Sequence, residues 1–385
     1  MTMLIIGLIL FVFLVVVHEF GHFIVAKLNR VEAEEFGIGF PPKIFGKVMG
    51  KGIFKGYYTI NLLPLGGFVK LKGEHDRDQS KGAFGAATLK AKMQIIYAGV
   101  ILNFVVALLL FTFTTWVGMP QMVENQFKVK SDYKITTNKM IVNYVGVGSP
   151  AEKVGIKPGS VLLSVNGQQV GSMQQLRDLT HKNAGKKVDI TFIDSGKKQI
   201  VNTTLLTESE VRASLKTSYP KAYLGVSTTP YKLAKATWSA PLVAVGTTAQ
   251  LTGLTIKGIG GALGNLAKSV VSVVTGKGRQ AKQEVSSAGE NVAGPVGIYF
   301  ILRQGTNLGI EFILFVIAVI SLTLALINAL PIPALDGGRA FVILFFRSLK
   351  RPLDPKTEDL IHGSGFAFLM LLFITITIVD IKRFF

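Results

Sequence analysis

Two histidines and a glutamate near the N-terminus form the pattern His18-Glu19-Phe20-Gly21-His22 within a long apolar segment. On a helix, residues four positions apart lie on one face, so both imidazoles can bind one zinc ion. Glu19 lies beside them and can accept a proton from an attacking water. The chain has only five histidines, which makes a chance match rare, and ionisable groups inside a membrane helix are usually functional. The alternative is a pair of hydrogen-bonded core histidines without a metal.

A zinc site of this kind usually needs a third protein ligand. The extended pattern of soluble metzincin peptidases would place a histidine at position 28, where this chain has Leu28. The strongest candidate is Asp336, which we expect at the end of the third apolar segment, at the depth of the histidine pair. A carboxylate at that depth is costly unless a metal or a base binds it. The sequence therefore predicts Zn²⁺ held by His18, His22 and Asp336.

The elements that position these residues are predominantly membrane helices. Of the 385 residues, 49% are hydrophobic and 17% are charged, whereas about 25% is usual in soluble domains. This composition argues against a purely soluble enzyme and excludes a disordered chain. Without cysteine, disulfides and Cys-based metal or nucleophile sites are also excluded. Four segments are accepted as bilayer spans: Met3–Leu28, Met93–Met119, Phe312–Leu335 and Gly363–Val379.

The formal charge of +19 accompanies this apolar bulk, so it favours a lipid bilayer rather than nucleic acid as the partner. Between the first two spans, Lys27–Lys92 contains 12 Lys and Arg, and Arg339–Lys356 contains 5. The positive-inside rule places both loops in the cytoplasm, which puts residues 120–307 outside. A further uncharged segment, Ser239–Ile256, contains five Ser or Thr and two Gly, and we expect an interfacial amphipathic helix there.

Within the outer segment, residues 127–206 have the features of a small α+β domain. Ser149 caps a short helix, and Lys157-Pro158-Gly159 marks a turn before the apolar strand Val161–Val165. We predict a further helix at 172–180 and strands at 187–193 and 199–205. This order resembles a PDZ domain of the type attached to bacterial proteases. Such domains bind an extended peptide at a sheet edge, and the alternative is a spacer that excludes substrates by size.

Between the first two spans, the segment Tyr57–Lys72 alternates weakly and turns at Leu63–Gly67, so we predict a β-hairpin over 57–72. Non-helical backbone is tolerated at membrane depth only where protein or water surrounds it. A strand edge there could hold an unwound substrate. The alternative is a cytoplasmic surface hairpin.

Small or polar residues four positions apart on the second span, Gly99 and Asn103, indicate helix packing, with a role of Asn103 near the zinc as the alternative. The remaining histidines, His75, His181 and His362, are expected to be structural or solvated.

The motif HEFGH at 18–22, the motif NALPIPALDGG at 328–338 and the PDZ-like insert together resemble the site-2 protease family of intramembrane zinc metalloproteases. The bacterial regulator-of-sigma-E-protease type with a single PDZ-like domain is the nearest in form. This resemblance implies that His18, His22 and Asp336 bind zinc, that Glu19 is the catalytic base, and that Asn328 positions the substrate. It also implies a multi-pass protein of the bacterial cytoplasmic membrane, with the PDZ-like domain outside and the active site near the cytoplasmic side.

The predicted fold is a multi-span α-helical membrane protein with four transmembrane helices, a membrane-associated β-hairpin and an inserted α+β PDZ-like domain. A first membrane half is expected at 1–120 and the PDZ-like domain at 127–206. A linker with interfacial helices, polar over 207–235, is expected at 207–307, and a second membrane half at 308–385.

The predicted function is zinc-dependent cleavage of peptide bonds within the transmembrane segments of single-span proteins. The resemblance allows anti-sigma factors, signal-peptide remnants or pheromone precursors as substrates, and a peptide ligand for the PDZ-like domain. Two alternatives belong to other classes, namely a membrane-anchored PDZ scaffold with a vestigial metal site and a metal transporter. Intact motifs disfavour the scaffold, and the sequence has neither the repeats nor the His-rich loop typical of a transporter.

Overall fold

The computed structural model describes residues 2–215, 220–274 and 294–384. The chain divides into two compact units. The unit that carries the histidine motif comprises residues 6–110, 248–299 and 317–385, and we call it the helical unit. The other comprises residues 1–5, 111–247 and 300–316, and we call it the sheet unit.

Four helices of the described chain are long and apolar enough to cross a membrane. They are α1 (Thr2–Leu28), α2 (Leu89–Val117), α8 (Ile310–Asn328) and α10 (Pro355–Phe384), with apolar stretches at Ile5–Leu28, Leu89–Val117, Ile310–Asn328 and Pro355–Lys382. Each stretch holds an 18-residue window with at most two charged side chains. Such lengths match the roughly 20 residues that span a hydrocarbon core. The structure therefore contains four candidate membrane helices, as the sequence predicts.

The third of these helices ends earlier than predicted. We expected one span over Phe312–Leu335 with Asp336 at its end, but α8 stops at Asn328 and a separate helix, α9, runs over Asp336–Ser348. Pro331 and Pro333 lack backbone N–H groups, and each disfavours helical backbone in the preceding residue. Asp336 consequently lies in the first turn of a new helix rather than in the last turn of a span.

The β structure of the helical unit consists of β1 (Ala33–Met49) and β2 (Gly56–Leu71), which pair antiparallel. Phe36 pairs with both Tyr58 and Val69, so β1 lies between the two halves of β2. The predicted hairpin over 57–72 is therefore wrong in its pairing, because its two halves pair with β1 instead of with each other. A Cβ on Gly37 would lie 2.3 Å from the Phe68 ring, so this glycine admits an aromatic side chain from the neighbouring strand.

The core of the helical unit joins these strands to the helices. Phe23 of α1 is fully buried, and its ring lies 5.6 Å from that of Phe36 and 5.7 Å from that of Tyr58. Ile95 of α2 and Ile343 of α9 belong to the same cluster of buried residues. Aromatic rings at these separations contribute beyond their buried area, so this cluster fixes β1 and β2 against the helix that carries the histidines.

The sheet unit contains seven strands, in the spatial order β3-β9-β4-β5-β7-β8 with β6 beside β5. They are β3 (Met119–Pro120), β4 (Lys134–Val145), β5 (Val161–Val165), β6 (Gln168–Gln169), β7 (Lys187–Asp194), β8 (Lys197–Thr204) and β9 (Val226–Lys235). The short helices α3 (Pro150–Lys153), α4 (Met173–Lys182) and α5 (Glu208–Ser214) accompany them. The helices and strands predicted between 149 and 205 are thus confirmed, whereas the PDZ type and the domain boundaries stay predictions.

The segment 207–235 differs from the expected polar linker. It contains the helix α5, and Thr207 and Glu210 form a capping box at the N-terminus of this helix. It also contains the strand β9, which pairs with β4 along its length. The strand Val226–Lys235, which contains Pro230, two threonines and two lysines, lacks the apolar alternation that marks a strand in sequence. Residues 216–219 and 275–293 of the predicted 207–307 linker lie outside the described residues.

The segment Ser239–Ile256 forms the first half of a longer helix, α6 (Ala240–Val274), and α7 (Pro295–Gly305) follows later in the chain. The start of α6 is held by Asp132, whose carboxylate accepts hydrogen bonds from the backbone N–H groups and hydroxyls of Thr237 and Ser239. A carboxylate at a helix N-terminus satisfies otherwise unpaired N–H groups and favours the helix dipole. The interfacial position of this helix stays a prediction.

Candidate active site

The three residues predicted to bind zinc meet within the helical unit. Asp336 Oδ2 lies 3.1 Å from His18 Nε2 and 3.3 Å from His22 Nε2, and the two Nε2 atoms are 3.3 Å apart. Both histidines are buried, and Asp336 is partly buried. Among the described residues, this is the one cluster of His, Cys, Asp or Glu side chains with metal-binding geometry. The structure thus brings together residues that are 318 positions apart in sequence.

Local backbone geometry explains the position of Asp336. The loop from α8 to α9 folds tightly over the first turn of α9, where Gly337 and Gly338 follow the aspartate. A Cβ on Gly337 would lie 2.3 Å from the Ala329 carbonyl oxygen, and one on Gly338 would lie 1.9 Å from that of Ile332. Real Cβ atoms do not approach backbone so closely, so both positions require glycine. The two glycines therefore allow the loop to present the Asp336 carboxylate to the histidines.

Helix α2 supports both imidazoles. A Cβ on Gly99 would lie 2.6 Å from His22 Nε2 and 2.7 Å from His18 Cε1, so the rings occupy the space above this glycine. Gly21 has the corresponding role on α1, because its Cβ would lie 2.8 Å from the Ala98 carbonyl oxygen. Small residues at such contacts let helix backbones approach closely. The predicted packing role of Gly99 is thereby confirmed, and the side chains that pack against it are those of His18 and His22.

The donor set fits zinc. His22 Nδ1 lies 2.8 Å from the Ile95 carbonyl oxygen, which can only accept, so the ring proton is on Nδ1 and Nε2 keeps its lone pair. Asp336 Oδ2 is buried without a hydrogen-bond partner in the described chain, although both Nε2 atoms adjoin it. With bonds of about 2.0–2.1 Å, tetrahedral zinc ligands lie about 3.3 Å from one another. The three observed separations match that value.

Glu19 lies next to this cluster, on the face of α1 toward β2. Its Oε2 accepts a hydrogen bond of 3.2 Å from the backbone N–H of Val69. Gly67–Leu71 pairs with β1 along one side, so the Val69 N–H that reaches Glu19 belongs to the outer side of this run. The carboxylate that we predict as the base is therefore held against an edge of the β structure.

A cavity of about 130 Å³ adjoins the cluster within the helical unit. Glu19, His22 and Asp336 line it together with Glu74, Arg339 and the apolar side chains of β2 and α2. Arg339 lies over the Phe84 ring, 4.4 Å from its centroid, and donates to the Glu74 carbonyl oxygen. A polar cavity of this size has room for several water molecules. The cavity can therefore hold water beside Glu19 and Asp336.

Two asparagines were singled out from the sequence, and their positions differ. Asn328, predicted to position substrate, is the last residue of α8 and is partly buried, and its amide makes no hydrogen bond within the described residues. Asn103 is fully buried, and its Nδ2 lies 3.3 Å from His18 Nδ1. The sequence signal for this contact was the four-residue spacing of Gly99 and Asn103 on one face of α2.

The other histidines lie away from the cluster. His75 Nδ1 is 3.6 Å from Glu358 Oε2, and the His181 ring contacts that of Tyr223. His362 Nδ1 accepts a hydrogen bond of 3.3 Å from the Ala334 N–H, in the loop that leads to Asp336. Sequence reasoning did not anticipate this support, nor the contributions of Val69 and Arg339, because each depends on a contact between distant segments.

Comparison with known proteins yields one family. The chain matches Peptidase family M50 over residues 6–372. It is 30% identical to a Clostridium acetobutylicum protein whose name places it among the zinc metalloproteases, over 98% of this chain and 97% of the relative. It is 27% identical to the zinc metalloprotease RasP of Shouchella clausii and 24% identical to the Enterococcus faecalis protein named as the protease eep, each over 98% of both chains. Because the family match covers both the HEFGH and the LDGG segments, the chain belongs to peptidase family M50.

Proposed function

We propose that this protein is a zinc-dependent endopeptidase that hydrolyses peptide bonds within the transmembrane segments of membrane proteins. The observation that carries the proposal is the meeting of two imidazole nitrogens and one carboxylate oxygen, 3.1–3.3 Å apart, beside Glu19 and between apolar helices. His18, His22 and Asp336 would hold the zinc. The family and the names of its relatives agree with a membrane zinc metalloprotease.

Glu19 serves as the general base in this proposal. Bound zinc supplies Lewis acidity, which polarises the scissile carbonyl and makes water a stronger nucleophile near neutral pH. Glu19 accepts the proton of the attacking water and returns it to the departing amine, so that the C–N bond breaks without a free amide anion. Its hydrogen bond to Val69 N–H and its place in the polar cavity support this role.

A substrate helix must unwind before it can be cleaved, because its carbonyls are hydrogen-bonded and shielded within the helix. The outer side of Gly67–Leu71 reaches Glu19 through the Val69 N–H, and the Leu71 N–H donates to Glu74. The carbonyl groups on this side are the ones that we assign to an added strand. Strand addition to a sheet edge provides hydrogen bonds that do not depend on side-chain identity. We propose that this edge binds the unwound substrate. Asn328 contributes hydrogen bonds to the substrate from its side-chain amide, which has no hydrogen-bond partner within the described residues.

The sheet unit screens substrates in this proposal. Its strands and the helix α4 match the order expected of a PDZ-like domain, which binds peptide ends or excludes bulky proteins. Substrates already trimmed outside the membrane would pass. The bilayer itself and single-span proteins, such as anti-sigma factors, signal-peptide remnants or pheromone precursors, are the proposed partners. The enzyme would reside in the bacterial cytoplasmic membrane, with this domain outside and the zinc near the cytoplasmic side.

Two other functions have less support. A PDZ scaffold with a vestigial metal site would not need the complete donor set or the intact base. A metal transporter would need a metal path, and membership of a peptidase family gives it no support.

The test is cleavage of a tagged transmembrane substrate by the Glu19→Gln variant, with zinc content measured on the same samples. We expect wild-type protein to bind one zinc ion per chain and to cleave, and Glu19→Gln to retain zinc without cleavage. Glutamine keeps the size and polarity of the side chain, so it serves as a matched replacement. Normal turnover by Glu19→Gln would refute the assigned base, and a folded wild-type protein without zinc or cleavage would refute the function.

A further inference from the structure

The buried amide of Asn103 adjoins the metal cluster, yet one of its two polar atoms has no partner. The Nδ2 atom lies 3.3 Å from His18 Nδ1, whereas Oδ1 is buried without a hydrogen bond within the described chain. The backbone oxygen of the same residue accepts from Ser321 Oγ at 2.8 Å, which fixes this turn of α2 against α8. Buried amide oxygens are normally hydrogen-bonded, so this one points to a function.

The chemistry of His18 decides which end of the amide should face it. For Nε2 to bind a metal, its lone pair must be free, and the proton of the neutral ring then sits on Nδ1. A ring N–H needs an acceptor, which the NH₂ group of Asn103 cannot be. Rotation of the amide by 180° exchanges its oxygen and nitrogen and places Oδ1 against Nδ1 of His18. The Asn103 oxygen then accepts a hydrogen bond from the His18 Nδ1–H.

The same arrangement already exists at His22. There the acceptor is the Ile95 carbonyl oxygen, 2.8 Å from Nδ1, and Ile95 is eight residues before Asn103 on the same helix. Gly99 lies midway and leaves room for both rings. One face of α2 therefore carries an acceptor for each imidazole, two helical turns apart.

We propose that Asn103 is a positioning residue, whose side-chain oxygen accepts the Nδ1–H of His18 and so directs the Nε2 lone pair of His18 at zinc. This inference rests on the zinc site proposed above. The opposite arrangement, in which the amide N–H donates to Nδ1, would put the proton on His18 Nε2, where it would face Asp336 and block metal binding. The two arrangements predict different effects of substitution at position 103.

The experiment measures zinc affinity, by competition with a chromogenic chelator, in the detergent-purified full-length protein and in Asn103→Leu and Asn103→Asp. Leucine has nearly the same volume but no acceptor, and we expect it to weaken zinc binding about 10- to 100-fold, as the loss of an outer-shell partner does. Aspartate offers an acceptor oxygen in the same place, so we expect it to recover most of that affinity. The visible absorption of the cobalt-substituted proteins should change with Asn103→Leu and return toward wild type with Asn103→Asp.

Ser321→Ala is the matched control, because it removes the hydrogen bond to the Asn103 backbone without touching the imidazole. It should leave zinc affinity unchanged, and an equal loss in this variant would reduce Asn103 to a packing residue. Wild-type affinity in a folded Asn103→Leu, or Asn103→Asp binding no better than Asn103→Leu, would overturn the inference alone. If Asn103→Leu does not fold, the zinc affinity of Asn103→Asp decides between the two arrangements. A donor role of the amide predicts a large loss of zinc affinity in Asn103→Asp, because a carboxylate has no N–H to donate. Absence of zinc from wild-type protein would overturn the proposed function as well.

Discussion

At the scale of single residues, the metal cluster depends on an absence of side chain at position 99. The His18 and His22 rings fill the space where a Cβ of Gly99 would stand, 2.6–2.8 Å from their nearest atoms. Asp336 contacts both rings, the Ile95 carbonyl oxygen adjoins His22, and the Asn103 amide adjoins His18, so neither ring can retreat without losing a contact. The cluster should therefore be sensitive to one methyl group.

We expect Gly99→Ala to lose most of its bound zinc and its peptidase activity, because the added methyl displaces the imidazoles. Gly253→Ala is the matched control, since it adds a methyl within helix α6 where nothing lies within 4 Å. An exposed Gly→Ala change within a helix is expected to stabilise by about 0.5–1 kcal/mol. Zinc per chain and thermal unfolding of both variants check this, and full zinc occupancy in Gly99→Ala would contradict the packing argument.

The carboxylate of Asp336 should be needed for zinc binding, whereas that of Glu19 should be needed only for cleavage. Removing it leaves two imidazoles, which are too few for a stable zinc site. We expect Asp336→Ala to lose zinc and cleavage together, while Glu19→Gln loses cleavage only. Metal analysis and the cleavage of a model transmembrane substrate in the same samples measure both quantities. Zinc retained by an inactive Asp336→Ala would mean that another residue supplies the third ligand.

At the scale of elements, the loop between α8 and α9 must be held in place for Asp336 to reach the histidines. Helix α10 provides this support. His362 accepts from the Ala334 N–H, and a Cβ on Gly365 would lie 2.4 Å from the Pro333 carbonyl oxygen. Ala334 has a positive φ of 76°, which is unfavourable for a residue with a Cβ and needs such external support.

We expect Gly365→Ala to shift this loop and to weaken zinc binding, although position 365 does not touch the metal cluster. Gly363→Ala, two residues earlier on the same helix, meets nothing within 4 Å and should leave zinc affinity unchanged. The pair differs only in the side of α10 that carries the methyl. Chelator competition on both proteins measures the difference, and equal affinities would show that the loop does not depend on α10.

The first turn of α6 gives a prediction about pH. Burial raises the pKa of Asp132, but hydrogen bonds from the backbone and hydroxyls of Ser239 and Thr237 outweigh it and hold the pKa at about 2. Because this pKa lies below the ordinary value near 3.9, the ionised group stabilises the fold above that pH, and this contribution is lost as pH falls toward 2. We expect Asp132→Asn to lower the unfolding temperature at pH 7, with the difference from wild type shrinking between pH 4 and pH 2. A difference independent of pH would contradict the argument.

The same elements mark how far sequence reasoning extends. The histidine pair follows from helical spacing alone, and the apolar lengths of the membrane helices follow from composition. The end of α8 was misplaced, because the run after Asn328 stays apolar and hydropathy does not register the two prolines. The strand β1 escaped notice because Gly37, Gly39 and two prolines interrupt its alternation, and the role of Asn103 depends on a partner 85 residues away.

At the scale of the whole molecule, the distribution of positive charge predicts which parts of the chain lie on each side of the membrane. The 12 Lys and Arg of residues 27–92 favour a cytoplasmic position for β1 and β2 under the positive-inside rule. If all four apolar helices cross the membrane, we expect residues 120–307 on the opposite side. This orientation is needed if the sheet unit is to meet substrates already trimmed outside the cell.

The chain contains no cysteine, so single cysteines report their side directly. We expect Lys198→Cys, on the exposed surface of β8, to react with a membrane-impermeant maleimide in intact cells. Lys51→Cys, exposed between β1 and β2, should react only after the membrane is permeabilised. The unmodified chain is the control for background, and retained cleavage shows that each variant is inserted correctly. Labelling of Lys51→Cys from outside, with Lys198→Cys protected, would invert the topology, and the sheet unit could then not screen the outer ends of substrates.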